Sequence, residues 1–224
     1  PQERVFLEAV WQAVEDAGHR PAELAGTDTG LFVGVSTTDY ADLLRRREVP
    51  VEAHTASGIA HSILANRVSH VLDLRGPSEA LDTACSSSLV ALHRAVRAIH
   101  AGDCSAALVG GVNALLSPGL FSAFRKSGML SPDGRCKTFD AAADGYGRGE
   151  GAGAVLLKPL SQARADGDYV YAVIRGVAVH HGGRSSSLTA PNPEAQARVL
   201  VRAYREAGVD PRTVTMVEAH GTGT

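Results

Sequence analysis

The sequence is short of cysteine, of charge of one sign and of long apolar runs, and each shortage removes a class of function. Its 224 residues hold three cysteines, Cys85, Cys104 and Cys136. They are too few and too irregularly spaced for a disulfide framework or a zinc site, and reduced thiols fit a cytoplasmic protein. The formal charge is only −2 at pH 7, so there is no electrostatic reason to expect nucleic acid or an anionic membrane as partner. No apolar run approaches the roughly 20 residues that span a bilayer, and the N-terminus lacks the basic-then-apolar order of a signal peptide. There is no internal repeat and no low-complexity linker.

What remains is a chain able to bury a sizeable core. Hydrophobic residues make up 44% of it, and its length suggests one or two domains. Leu7, Val10, Trp11 and Val14 recur at helical spacing and Gly18 ends that pattern. Leu31 to Val35 predicts a buried strand. Ile59 to Leu72 predicts a helix with Ile63, Leu64, Val68 and Val71 inward, stopped by Gly76-Pro77. An extended run ends at Leu81, and Leu89 to Ile99 forms a helix apolar on most sides, expected to be buried centrally. Further strands are expected at Ala106 to Val109, Ala154 to Leu157, Tyr169 to Val179 and Val214 to Glu218, with a helix from Asn192 to Ala207. Alternating strands and helices imply a layered α/β architecture. Arg45-Arg46-Arg47-Glu48 reads as a solvated helix face.

Two short segments carry chemistry. Asp82-Thr83-Ala84-Cys85-Ser86-Ser87-Ser88 places a thiol where a strand gives way to a helix. The first-turn N–H groups and the helix dipole favour the thiolate there, which makes the thiol a candidate nucleophile. Glu218-Ala219-His220-Gly221-Thr222-Gly223-Thr224 sets a histidine in a glycine-threonine turn. Together they predict a Cys/His acyl-transfer site, although a lone cysteine is more often a small buried hydrophobe. Thr222 and Thr224 can equally be turn residues that cap a helix. Asp82 and Glu218 satisfy local donors on this reading and take no catalytic role.

These segments resemble the β-ketoacyl synthases of the thiolase superfamily, and most closely the ketosynthase domains of modular type I polyketide synthases. The resemblance runs in order through Pro1-Gln2-Glu3-Arg4, Thr29 to Gly34, Asn66-Arg67-Val68-Ser69, Gly76-Pro77-Ser78 and the Cys85 segment. It continues through Ser131 to Asp140, Asp144 to Gly151, Leu188 to Asn192 and the His220 segment. It implies a thiolase-like layered α/β/α fold, incomplete at both ends. Residues 1–160 would be the N-terminal ketosynthase half without its first elements, and 161–224 the start of the C-terminal half.

By the same resemblance Cys85 takes the acyl chain, with its own N–H in the oxyanion hole, and His220 hydrogen-bonds the extender's thioester carbonyl as enolate character develops. Thr222 and Thr224 would contact the phosphopantetheine arm of acyl carrier protein. No cofactor is bound directly, because that arm carries the substrates. Expected partners are acyl carrier protein, other polyketide synthase domains and, in the complete domain, a second copy as homodimer. The Lys-x-Asn-x-Gly-His segment bearing the family's second histidine does not occur in the sequence, so the isolated fragment is expected to be inactive. Ser57 to Ser62 and His180 to Gly183 resemble ketosynthases of assembly lines served by a separate acyltransferase.

Rival readings have less to carry them. A thiolase or transacylase could use the same Cys/His pair without decarboxylation, whereas a serine hydrolase at Ser86 to Ser88 lacks the G-x-S-x-G elbow. Gly149 to Ala154 partly matches a dinucleotide fingerprint but runs into a strand, so its glycines are expected to permit close backbone packing beside the site. His180 and His181 would point to opposite faces of a strand, with no carboxylate or thiol cluster to complete a metal site. Cys104 and Cys136 are expected to be structural.

Overall fold

A computed structural model describes residues 1–224. In chain order the regular elements are α1 (Gln2–Asp16), β1 (Gly30–Gly34), α2 (Asp39–Arg46), α3 (His61–Val71), β2 (Ser78–Leu81), α4 (Ser87–Ala101), β3 (Ala107–Asn113), α5 (Gly119–Lys126), β4 (Gly151–Leu157), α6 (Leu160–Asp166) and α7 (Pro193–Ala207). Four strands form one sheet in the order β2-β1-β3-β4, with β1 parallel to both neighbours and β4 antiparallel to β3.

The sheet is covered on both faces because its central strand is apolar throughout, as parallel strands buried on two sides must be. Every residue of β1 is buried. Side chains alternate across the strand: Leu31, Val33 and Val35 join Phe6, Val10 and Val14 of α1 and Leu64, Ala65 and Val68 of α3 in one core. Phe32 faces the other way and packs with Ala91, Ala95 and Ala98 of α4, together with Ala107, Val109 and Cys104. The layers are therefore helix pair, sheet, helix.

Several details differ from the sequence reading. Phe6 rather than Trp11 faces the core from α1, and Val71 of α3 is exposed. Apolar spacing fixes a stripe only to within about one residue's rotation, and these side chains fall at its edges. The alanine stripe of α4 is buried while Leu89 is 66% exposed, because small side chains let the helix lie close on β1 and β3. No strand forms at Tyr169 to Val179 or Val214 to Glu218, since a strand exists only where another segment completes its ladder. Tyr169, Tyr171, Val173 and Ile174 stay exposed. The short helices α2, α5 and α6 had no expected counterpart apart from the solvated face at Arg45 and Arg46, whose side chains pair with Asp42 at the end of α2.

The chain divides into two units, Pro1–Pro159 with Glu218–Thr224, and Leu160–Val217. The sheet and its three covering helices belong to the first. In the second, α7 is capped by the Asn192 side chain, which accepts from the Ala195 N–H at 3.2 Å, and ends at Gly208 in the left-handed region. Gly176 lies so close to α7 that a Cβ there would stand 2.7 Å from the Ala203 carbonyl oxygen.

Candidate active site

The thiol of Cys85 sits on a turn whose shape is set by its neighbours. Ala84 adopts φ +56°, a left-handed conformation that costs a residue with a Cβ on the order of 1 kcal/mol or more. Side chains hold the turn against that cost. Asp82 Oδ1 accepts from the Ala84 N–H at 3.0 Å, Ser87 Oγ accepts from the Thr83 N–H at 2.9 Å, and Ser87 Oγ donates to the Ala84 carbonyl at 2.6 Å. Ser86 Oγ donates to the Thr83 carbonyl at 2.9 Å. Cys85 is thereby held exposed just ahead of α4.

The helix that follows is seated by glycine. A Cβ on Gly34, at the end of β1, would lie 2.5 Å from the Ser88 nitrogen and 2.7 Å from the Ser87 carbonyl carbon. Strand end and helix start thus meet backbone to backbone. Gly110 on β3 makes a close approach to β4 and α1 rather than to α4: a Cβ there would lie 2.1 Å from the Gly153 carbonyl oxygen and 2.7 Å from the Phe6 ring. The close approaches expected of Gly149, Gly151 and Gly153 do not occur at those positions: a Cβ on any of the three meets nothing within 4 Å.

His220 arrives from the far end of the chain and is pinned to the first unit by its turn. The Thr138 hydroxyl donates to the Gly221 carbonyl, and the Gly145 N–H donates to the Gly223 carbonyl at 2.9 Å. Gly223 also abuts Lys137, whose backbone nitrogen would lie 2.9 Å from a Cβ there. Lys137 is itself anchored: Nζ bonds Asp144 Oδ1 at 2.6 Å, Asp133 Oδ1 at 3.0 Å and Ser131 Oγ at 3.0 Å. The Ser131 hydroxyl and then the Lys137 ammonium hold Asp133 far below the usual carboxylate range. Lys137 and then Ser131 lower Asp144.

Cys85, His220 and Thr222 line a single cleft of 870 Å³. Its walls come from the ends of β1, β3 and β4, the first turns of α4, and Leu120 and Phe124 of α5. Tyr146 and Arg148 complete one side. Burial pushes the Tyr146 phenol up, with Arg148 opposing and Cys85 adding to the shift. No Asp, Glu or Lys lines the cleft, so its ionisable groups are the thiol, the imidazole, the phenol and one guanidinium. A space of this size and character suits a drug-sized apolar chain better than a nucleotide. Thr224 does not line it; its Oγ1 lies 2.8 Å from Thr222 Oγ1.

Comparison with known proteins decides the family. Residues 1–163 match the model of the β-ketoacyl synthase N-terminal domain, and residues 171–224 that of the C-terminal domain. The chain belongs to the β-ketoacyl synthase family. All 224 residues align at 51% identity with polyketide synthase PksN of Bacillus subtilis, covering 4% of that protein. They align at 50% with 6-methylsalicylic acid synthase of Aspergillus niger, covering 13%. Among solved structures, the chain matches the ketosynthase from module 6 of the bacillaene synthase of Bacillus subtilis with a TM-score of 0.92 at 39% identity. The oxazolomycin ketosynthase domain OzmH KS7 of Streptomyces albus gives 0.93 at 47%. Both matches cover the whole chain and 38% of the solved one, and they show the thiolase-like fold of a ketosynthase.

Other thiols and imidazoles of this β-ketoacyl synthase chain stand elsewhere. Cys104 is 2% exposed between the sheet and α4, and burial raises its pKa. Cys136 is exposed, its sulfur accepting from the Gly147 N–H at 3.3 Å. His180 Nε2 lies 3.2 Å from Arg202 Nη1, and His181 Nδ1 accepts from the Gly183 N–H at 2.9 Å. Thr138, Tyr146 and Arg148 escaped the residue-by-residue sequence reading. They lie in segments that carried the family resemblance, yet nothing in their spacing tells that Tyr146 and Arg148 line the cleft or that Thr138 holds the His220 turn.

Proposed function

We propose that this chain is the acyl-accepting part of a polyketide synthase ketosynthase. The observation that carries the reading is the cleft itself, where a thiol on a strained turn and an imidazole from a remote segment share one largely apolar space. The Cys85 thiolate attacks the thioester carbonyl of an acyl chain on the phosphopantetheine arm of acyl carrier protein. The arm's thiol leaves and an acyl-Cys85 thioester remains. The Cys85 N–H stabilises the oxyanion of the tetrahedral intermediate.

In the second half-reaction a malonyl-type extender on carrier protein loses carbon dioxide. The electron pair left behind forms an enolate, whose carbon attacks the acyl-Cys85 carbonyl and expels the Cys85 thiolate. His220, donating from Nε2, stabilises the enolate oxygen. Thr222 and Thr224, joined hydroxyl to hydroxyl, contact the arm near the cleft mouth. In the family a second histidine completes this step. The complete domain therefore performs condensation as a homodimer with carrier protein and neighbouring synthase domains, and the test on these residues concerns acyl transfer.

That test is peptide-mapped mass spectrometry of two parallel samples, one treated with brief, limiting iodoacetamide and the other incubated with a short acyl-N-acetylcysteamine thioester. Selective modification of Cys85 over Cys136 in the folded chain, lost on denaturation and in Cys85→Ala, supports the reading. Equal modification of Cys85 and Cys136 by both reagents refutes it.

A further inference from the structure

Helix α5 forms one wall of the cleft through Leu120 and Phe124, yet little fixes it in place. It has no buried residue, and it makes extensive contact with no other helix or strand. Its two ends are tethered. The Gly119 N–H donates to Ser117 Oγ at 3.3 Å, and the Met129 N–H just beyond the helix donates to the Phe124 carbonyl at 2.9 Å, with Met129 bonded on to Tyr146. Between those tethers two side chains meet it: the Tyr146 ring centroid lies 6.4 Å from that of Phe124, and Arg148 reaches both Phe121 and Phe124. The Arg148 guanidinium carbon stands 4.4 Å from the ring centroid of Phe121 and 5.5 Å from that of Phe124.

This arginine is unusual in its bonding. Arg148 Nη1 is buried and has no hydrogen-bond partner, an arrangement proteins seldom keep. The negative faces of two aromatic rings take the place of the missing acceptor. No carboxylate lines the cleft to draw the guanidinium away from those rings.

We infer that Arg148 is a positioning residue that sets the width of the acyl cleft by clamping α5 through Phe121 and Phe124, and so limits the bulk of chain that Cys85 accepts. The inference deepens the ketosynthase reading and rests on it for the identity of the occupant. Phe121 does not line the cleft, so the clamp can be opened from outside without altering a lining side chain. A cation–π contact of ordinary strength corresponds to roughly 2- to 30-fold in the balance between a closed and an open wall.

The experiment compares second-order rates of Cys85 alkylation by iodoacetamide and by N-octyl iodoacetamide in the unaltered chain, Arg148→Met, Arg148→Lys, Phe121→Leu and the Arg148→Met/Phe121→Leu double variant. The ratio of bulky to small reagent should rise roughly 2- to 30-fold in Arg148→Met and Phe121→Leu and less in Arg148→Lys, which keeps the charge. The double variant should add nothing further. An unchanged ratio overturns the inference, as does a rate change equal for both reagents, which is what a merely structural arginine would produce. Cys104 monitors folding because it is 2% exposed. Should it become reactive in Arg148→Met, Phe121→Leu decides, its site being 39% exposed and tolerant of truncation. Alkylation needs no condensation, so failure of the ketosynthase reading would show separately, as Cys85 refusing acyl thioesters while the size ratio still responds.

Discussion

Placing a methyl group on Gly34 drives it into the backbone at the start of α4, where the Ser88 nitrogen would lie 2.5 Å, the Ser87 carbonyl carbon 2.7 Å and Ser88 Cα 2.9 Å away. Ordinary contact begins at 3.4 Å, so strand or helix must yield by about 1 Å, and neither can do so by rotating a side chain. Overpacking of this kind costs about 1–3 kcal/mol. For a chain of this length, that lowers Tm by roughly 2–12 °C. Because the displaced helix carries the Cys85 turn, a shift of about 1 Å can also slow acyl transfer on the order of 100-fold. Thermal unfolding and intact-mass acylation of Gly34→Ala measure the two effects, with Gly153→Ala as control because Gly153 lines the same cleft and a Cβ added there would meet nothing within 4 Å. A Gly34→Ala chain with unchanged Tm and unchanged acylation would refute the argument that this backbone contact positions the thiol.

Three further outcomes follow from other parts of the first unit. The Ser117 hydroxyl, ahead of Arg45, holds Asp42 at about 2 against an ordinary 3.8; a carboxylate lowered on folding stabilises above about pH 4 and loses that contribution as pH falls toward about 2, so urea midpoints should drop over this window and drop less in Ser117→Ala. Thr138→Val removes the donor to the Gly221 carbonyl and should raise amide exchange of residues 221–224 about 5-fold, the equivalent of a hydrogen bond worth about 1 kcal/mol, whereas Thr138→Ser should restore protection. Leu89→Ser, at an exposed position on α4, should change stability by less than about 0.5 kcal/mol, while Ala95→Leu, packed against β1 and β3, should cost about 1–3 kcal/mol; equal effects would mean that the alanine face is not the buried one.

Legibility in the sequence followed the range of the forces involved. The apolar run at Leu31 to Val35, the helix after Cys85 and the helix from Asn192 to Ala207 were readable because propensity and periodicity act within a few residues. Tyr169 to Val179 failed the same reasoning: its β-branched and aromatic residues favour a strand, but a ladder needs a partner, and none pairs with it. Cys85 and His220 were legible as candidate residues on two turns of a family pattern, while Arg148 and Thr138 were present in that pattern without a readable role.

The sequence by itself determined which residues are apolar, roughly where α1, α3, α4 and α7 lie, and which thiol and which imidazole bear the family's motifs. Only the tertiary structure decided that the alanine stripe of α4, and not Leu89, meets the sheet; that Gly34 and Gly110 rather than Gly151 and Gly153 are the crowded glycines; and that Thr138, Gly145 and Lys137 pin the His220 turn beside the Cys85 cleft. The reason is physical: local terms fix the conformation of a few neighbouring residues, whereas the meeting of Cys85 with His220 depends on backbone approaches between segments far apart in the chain, whose energies exist only once the layers have packed.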